Sequence, residues 1–397
     1  MMKMGKENNN IIKLKKGINP RFKKALIVFL IVVAVVVIGL FAAQEIGNVT
    51  INSMTDSVKA VVGNMGSGEG FPYELGADSI VDVSLNNSNL FILCGDETTV
   101  LNSTAKEINP EKLNFSNPVM KTKDAFAIVY DLDSDKFRIQ NGAEIIREGK
   151  AEGKIMSAAV GRRGNYALGT YGSNVQSTLS VYNKKGEALF IWDFKSERIS
   201  DISLSDSGKN AAVTTVYSSE GKISSRVYVF DFSSEKPVAK LDYDSSVLIH
   251  VDYIRNNDIV VLGDNIRSYI KDGKIRKDDQ QFKTDKLNSY CVNNQGRSAL
   301  VRSKYGSSSL CTLEVYSSKN KLQFTTDFDK EVKGVDCGER YTAVLFDNEI
   351  KTFDKKGREK GTIKFSGEPS RVIVSGTDVY VFTSVSIQCY NVKGNEK

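Results

Sequence analysis

A chain of 397 residues with 41% hydrophobic content has the composition of a folded protein and room for one large repeat domain or two ordinary ones. The net charge of +6 is concentrated at the start: residues 1–24 carry eight Lys and Arg against Glu7 alone, which is +7, so the remainder sums to −1. A neutral folded part gives no footing for nucleic-acid binding, and a single histidine, His250, excludes a His-cluster metal centre or a pair of catalytic imidazoles.

Residues 1–24 read as a basic tail. Residues 25–43 (ALIVFLIVVAVVVIGLFAA) hold no charge and no strong polar group. At 1.5 Å per residue, such a helix spans the hydrocarbon core of a bilayer. The run is too long for the apolar region of a cleaved signal peptide, and Phe41 sits where a small residue would precede the cut. An uncleaved membrane anchor is expected. Lys23 and Lys24 before it place the tail in the cytoplasm and the C-terminal part outside the cell membrane. Residues 44–70 read as a stem: Ile46, Val49, Met54, Val58, Val61 and Val62 recur at helical spacing, and a Gly-rich linker follows from Gly63.

From residue 71 to 397 the chain is short β-type runs separated by turn residues. One turn unit recurs, clearest as Tyr182-Asn183-Lys184-Lys185-Gly186, Tyr269-Ile270-Lys271-Asp272-Gly273, Phe353-Asp354-Lys355-Lys356-Gly357 and Tyr390-Asn391-Val392-Lys393-Gly394. With Leu101, Gln140, Phe230 and Tyr316 as weaker copies, the anchors lie 37 to 48 residues apart. That period, in segments rich in Val, Ile, Tyr, Phe and Thr, points to a repeat of strands rather than a helical solenoid. Within one unit, strands are expected over residues 199–204, 211–217, 227–230 and 238–243. Four short strands per unit mark a propeller blade.

The last unit offers only three strands. The fourth has no sequence after Gly394, whereas Phe71, Tyr73 and Leu75 form an orphan run before the first unit. The N-terminal run is therefore expected to supply the missing outer strand, where Pro72 is harmless. The predicted fold is all-β: an eight-bladed β-propeller of four-stranded blades closed by its N-terminal strand and preceded by one transmembrane helix. Seven blades is the alternative.

With this blade pattern the chain resembles bacterial propellers of the WD40/YVTN/quinoprotein-like superfamily. It is most like membrane-anchored propellers of Gram-positive anaerobes catalogued only as a domain of unknown function. Trp192, in Gly186-Glu187-Ala188-Leu189-Phe190-Ile191-Trp192, is the one match to the quinoprotein blade-end tryptophan. The Gly-His and Trp-Asp pairs of WD40 blades are missing as a set. No cofactor follows from the resemblance.

No residue stands out as catalytic and no set as metal-binding. His250 reads as a strand residue. Asp131-Leu132-Asp133-Ser134-Asp135 imitates a calcium loop but has Lys136 and Gly142 where Gly and Glu are required, and reads as a turn between the second and third strands of a blade. Cysteines 94, 291, 311, 337 and 389 form no CxxC. They read as small apolar fillers, with a disulfide such as Cys291–Cys337 as the alternative. Three loops between second and third strands look long, begin with Tyr and continue with Ser and Gly: residues 171–177, 217–225 and 305–309. This is a contact-surface composition, and Tyr171, Asn174, Tyr217, Glu220, Tyr305 and Ser307 are its candidate contact residues.

The leading functional expectation is a single-pass membrane protein that presents an extracytoplasmic propeller to a protein or cell-envelope polymer, as scaffold or sensor and without catalysis. The alternative is a propeller enzyme, a quinone-dependent dehydrogenase or hydrolase working in the channel. First strands such as Ser157-Ala158-Ala159-Val160, Asp201-Ile202-Ser203-Leu204 and Ser289-Tyr290-Cys291-Val292 look small and apolar, which favours binding. Three or more charged side chains meeting at one channel mouth would favour the enzyme.

Overall fold

The computed structural model describes residues 67–397, apart from 76–79, 87–88, 143, 220, 255–256, 283–284 and 305–306. The tail, the anchor and the stem up to residue 66 lie outside the described residues. No helix among the described residues is long and apolar enough to cross a membrane.

The described chain forms eight antiparallel four-stranded sheets, which settles the blade count at eight. Blades 1 to 7 cover residues 80–112, 118–150, 155–194, 198–243, 248–281, 285–328 and 334–364, each from four consecutive strands. Blade 8 has Pro369–Ser375, Asp378–Thr383 and Ser386–Asn391, with Tyr73–Glu74 as its outermost strand. Burial explains the residue patterns. Second strands such as Phe126–Asp131 and Ile259–Gly263 are buried throughout because both faces are covered by neighbouring blades. They therefore read as unbroken apolar runs. An outer strand such as Ala188–Phe194 alternates between covered and exposed positions.

Eight apolar clusters fill the eight seams between blades. Val181, Phe194, Ile202 and Phe230 pack between blades 3 and 4. At the closing seam, Val83, Leu90 and Ile92 of blade 1 meet Ile373, Phe382 and Ile387 of blade 8, with Phe71, Tyr73 and Leu75 against them. The turn unit that carries the repeat also has a physical basis. Asn183 Oδ1 accepts the N–H groups of Lys185 and Glu187, and Asp354 Oδ1 those of Lys356 and Arg358. Gly186 and Gly357 then take φ of 84° and 77°, open to glycine at little cost. In blade 5 the bulge that precedes this turn puts Ile270, not Tyr269, in the anchor position held by Tyr182 and Phe353 elsewhere.

Ring closure uses both ends of the described chain. Tyr73 and Glu74 pair with Ile387 and Ser386, and Leu75 N donates to Val385 O at 2.9 Å. Beyond them, Glu396 bridges Tyr390 and Lys397 N donates to Cys389 O at 3.0 Å. The residues after Gly394 thus continue the edge that Tyr73–Glu74 begins, where the sequence reading leaves the fourth strand to the N-terminal run alone. Just upstream, Gly68 N bonds Thr104 Oγ1 and Gly70 N bonds Thr104 O, in the turn between the third and fourth strands of blade 1. The chain therefore enters the ring on the face of these turns, opposite the loops between second and third strands.

Candidate functional site: the loop face and the channel

On the loop face, Tyr171 is 38% exposed in the loop of blade 3, and Asn174 is also exposed. The Arg198 guanidinium of blade 4 lies over the Tyr171 ring at 5.7 Å and donates from Nε to Gln176 Oε1 at 3.3 Å. Blade 4 corrects the sequence reading. Residues 217–225 are not a loop, because Asn210–Ser219 and Lys222–Asp231 stay paired out to Ser219↔Lys222. The Ser-rich stretch suggests a loop, yet Ser224 and Ser225 are buried strand residues. The flanking strands stop at the Arg198↔Val216 and Tyr243↔Ser225 pairs, so the last three pairs form a bare two-stranded ribbon about 10 Å long. Ile223 on this ribbon is 57% exposed.

Tyr217 stacks on the Arg226 guanidinium at 4.6 Å. Arg226 in turn pairs with Glu197 and Asp242. Burial works against the Arg226 charge, but the hydrogen bonds to Tyr228 and Asp242 and the Glu197 carboxylate hold it protonated. Tyr171 and Tyr217 thus stand on adjacent blades, each against an arginine. Ser307 lies on blade 6, its hydroxyl 3.1 Å from that of Ser309. Glu220 and Tyr305 lie outside the described residues.

The channel is richer in charge than its first strands suggest, which overturns the small, apolar reading. Lys121 of blade 2 forms an ion pair with Asp201 of blade 4 and donates to Ser157 Oγ of blade 3 at 3.1 Å. Asp201 also accepts Val251 N at 2.9 Å and lies 3.4 Å from His250 Nδ1, both in blade 5. Burial alone would raise the Asp201 carboxyl, but Lys121 and then His250 hold it well below the usual carboxylate range. Lys123 reaches over blades 3 and 4 to Tyr253 O at 2.9 Å and to Asp252 at 3.5 Å in blade 5, with Asp206 of blade 4 at 4.0 Å. Ser203 Oγ bonds Asp252 at 3.0 Å and accepts Tyr253 N at 3.0 Å. On the far side of the ring, Arg371 of blade 8 pairs with Asp82 of blade 1.

This cluster includes Ser, His and Asp, but not as a relay. Ser157 Oγ donates to the Asp201 carboxylate at 3.4 Å, and the His250 ring lies against Tyr290 at 5.3 Å. A nucleophile of the triad type needs the serine on the imidazole. These contacts link different blades, Lys121 to Asp201 and Lys123 to Asp252 among them, so what the cluster does is tie blades 2 to 5 together. In the calcium-like turn, Asp131 Oδ1 accepts Ser116 N and Asn117 N, so its carboxylate caps a backbone turn. Among the described residues, no group of three or more His, Cys, Asp or Glu side chains is placed to hold a metal ion. The sequence shows no sign of the channel cluster beyond isolated Lys and Asp residues in strands.

Eight seams, four-stranded blades and a strand that closes the ring define an eight-bladed β-propeller. Solved structures agree at the level of fold. The C-terminal WD40 domain of Sif2 matches with a TM-score of 0.59 at 13% identity, covering 80% of this chain and 98% of that one. Sqt1 of Saccharomyces cerevisiae matches at 0.57 and 11%, covering 83% of this chain and 100% of that one. Sqt1 of Chaetomium thermophilum, bound to the N-terminus of the ribosomal protein L10, matches at 0.54 and 12%, covering 81% and 98%. No curated protein matches significantly. A family model described as a family of unknown function (DUF5711) matches residues 77–397, and the chain belongs to that family.

Proposed function

We propose that this propeller is a binding scaffold, held at the cell membrane by residues 25–43, that presents its loop face outside the cytoplasm to a protein or cell-envelope polymer. The observation that carries this reading is the pair of Tyr–Arg stacks beside the projecting ribbon of blade 4, on the face opposite chain entry. Aromatic rings backed by guanidinium groups offer rigid contact area at low entropic cost. One similar propeller, that of Chaetomium Sqt1, is seen bound to the terminus of another protein, which fits a protein partner here. The anchor and its topology rest on the sequence alone.

The test is capture by the full-length protein in native membranes, with a photo-crosslinker at Asn174 or Ile223 and, as control, at Lys185 on the opposite face. A partner trapped from the loop face and lost in Tyr171→Ala supports the reading. Equal trapping from both faces, or none from the loop face, defeats it.

The channel favours a second reading. Lys123, Asp206 and Asp252 meet at one mouth, which is the arrangement an enzyme would need. Each of these groups is also another's partner, so a substrate would have to break an existing pair. Turnover of a dye-linked sugar or alcohol that is lost in Lys123→Met would put this reading first.

A further inference from the structure

Cys291 lies in the first strand of blade 6, Asp285–Val292, and Cys337 in that of blade 7, Gly334–Cys337. These strands pack against each other, and both cysteines join one apolar cluster at the seam. Cys337 Sγ is 3.4 Å from Arg297 O and 4.0 Å from Cys291 O. The seam around them is well held: the Arg297 guanidinium crosses from blade 6 to Gly338 O and Tyr341 O, each at 2.8 Å, and to Thr342 Oγ1 at 2.9 Å. Of the other cysteines, Cys311 belongs to the same cluster, with its Sγ bonding Ser308 O at 3.2 Å, whereas Cys94 and Cys389 pack at the seam between blades 8 and 1.

We propose that Cys291 and Cys337 are a redox-sensitive pair that forms a disulfide joining blade 6 to blade 7 beside the channel. Both thiols are free in this structure, which is the reduced state. The oxidant is a disulfide, either a small molecule or a thiol–disulfide oxidoreductase. A thiolate of the pair attacks one sulfur of that disulfide, expels the first thiolate and leaves a mixed disulfide. The second cysteine, deprotonated, attacks the protein sulfur of the mixed disulfide and expels the other thiolate. Two electrons pass to the oxidant, and the two cysteine protons end on its two thiols. Burial pushes the Cys291 thiol up and suppresses its thiolate in the closed ring. Exchange therefore proceeds when the seam opens, during folding or local unfolding. The bond then closes a loop across a separation of 46 residues, long enough for a sizeable restriction of the unfolded chain.

The test is to refold the full-length chain in detergent with a mixture of reduced and oxidised glutathione and map its cysteine peptides by mass spectrometry. The expected result is one dominant linked pair, Cys291–Cys337, with a Tm about 5 °C above the reduced protein. Linkage should form at least tenfold faster in sub-denaturing urea than in buffer. Cys311→Ser and Cys389→Ser should leave it intact, and Cys291→Ser should abolish it. Glutathione adducts without linkage, links scattered over all five cysteines, or a linked form that melts below the reduced one would each overturn the proposal. The mapping on the wild-type chain stands even where a variant folds poorly.

Discussion

The two sides of the ring use the same device under opposite electrostatics. In blade 4, Asp201 accepts the N–H of Val251 from the next blade; in blade 7, Asp336 accepts the N–H of Val374 from the next blade at 2.7 Å. Around Asp201, blades 2 to 5 supply Lys121, Ser157 and His250. Asp336 has no such cation against it: burial pushes its carboxyl up to about 6, and its backbone bonds and the distant charges of Arg371 and Arg297 only partly offset that. Asp201 is therefore held by charge, whereas Asp336 bridges its two blades as a carboxyl that resists ionisation. A carboxylate that bridges blades is stabilising only where the chain also delivers a cation to it.

The largest effect should come from Asp201→Ala. It strands Lys121 without its ion-pair partner and leaves Val251 N without an acceptor in a buried site. A loss of about 3 kcal/mol is expected, read as a lower urea midpoint at unchanged slope. In the wild type, the contribution of Asp201 is present above the ordinary carboxylate range and is lost only as pH falls below it. A loss under 1 kcal/mol at pH 7 would mean that blades 2 to 5 are not held by this pair.

Asp336→Asn should act in the opposite direction. With its carboxyl at about 6, the folded chain keeps a proton that the unfolded chain has already released. Stability therefore falls as pH rises from about 4 to 6 and stays lower above that. Asparagine can still accept Val374 N without carrying charge. The variant should gain about 2 kcal/mol at pH 8, less than the full linkage value because the carboxylate is only half-buried, and nothing near pH 4. Melting curves at the two pH values decide this, and a gain that does not depend on pH would dissolve the contrast with Asp201.

Some of this architecture was legible in the chain and some was not, for physical reasons. The repeat shows because its turn needs particular residues: Asn183 or Asp354 to cap, then Gly186 or Gly357 with positive φ. The closing strand shows because the last unit is one strand short. The channel cluster does not show. Lys123 and Tyr253 lie 130 residues apart and meet only because the ring places blade 2 across from blade 5. The ribbon of blade 4 hides for another reason. Its Ser and Gly residues fit a loop by composition, and only the pairing through Ser219↔Lys222 reveals two strands. Tyr171 and Tyr217 stand out in the sequence by their Ser/Gly surroundings, yet the arginines that stack on them come from strands, where nothing in the sequence links them.

The smallest effect concerns the seam that closes the ring. Tyr73 Oη donates to Glu107 Oε2 at 2.7 Å, joining the outer strand of blade 8 to blade 1 at an exposed position. Two further bonds, from Gly68 N and Gly70 N to Thr104, hold the same segment. Tyr73→Phe removes one hydrogen bond that water can replace, so a loss of no more than about 1 kcal/mol is expected. Phe71→Ala, which removes a ring packed edge-on to Tyr380 at 5.3 Å, should cost about 2 kcal/mol. If the closing strand is a clasp held by packing, hydrogen exchange at Ile387 should speed up in Phe71→Ala far more than in Tyr73→Phe. Equal acceleration in both would mean that the hydroxyl matters to the clasp as much as the ring packing does, and closure would then depend on a polar contact at an exposed position.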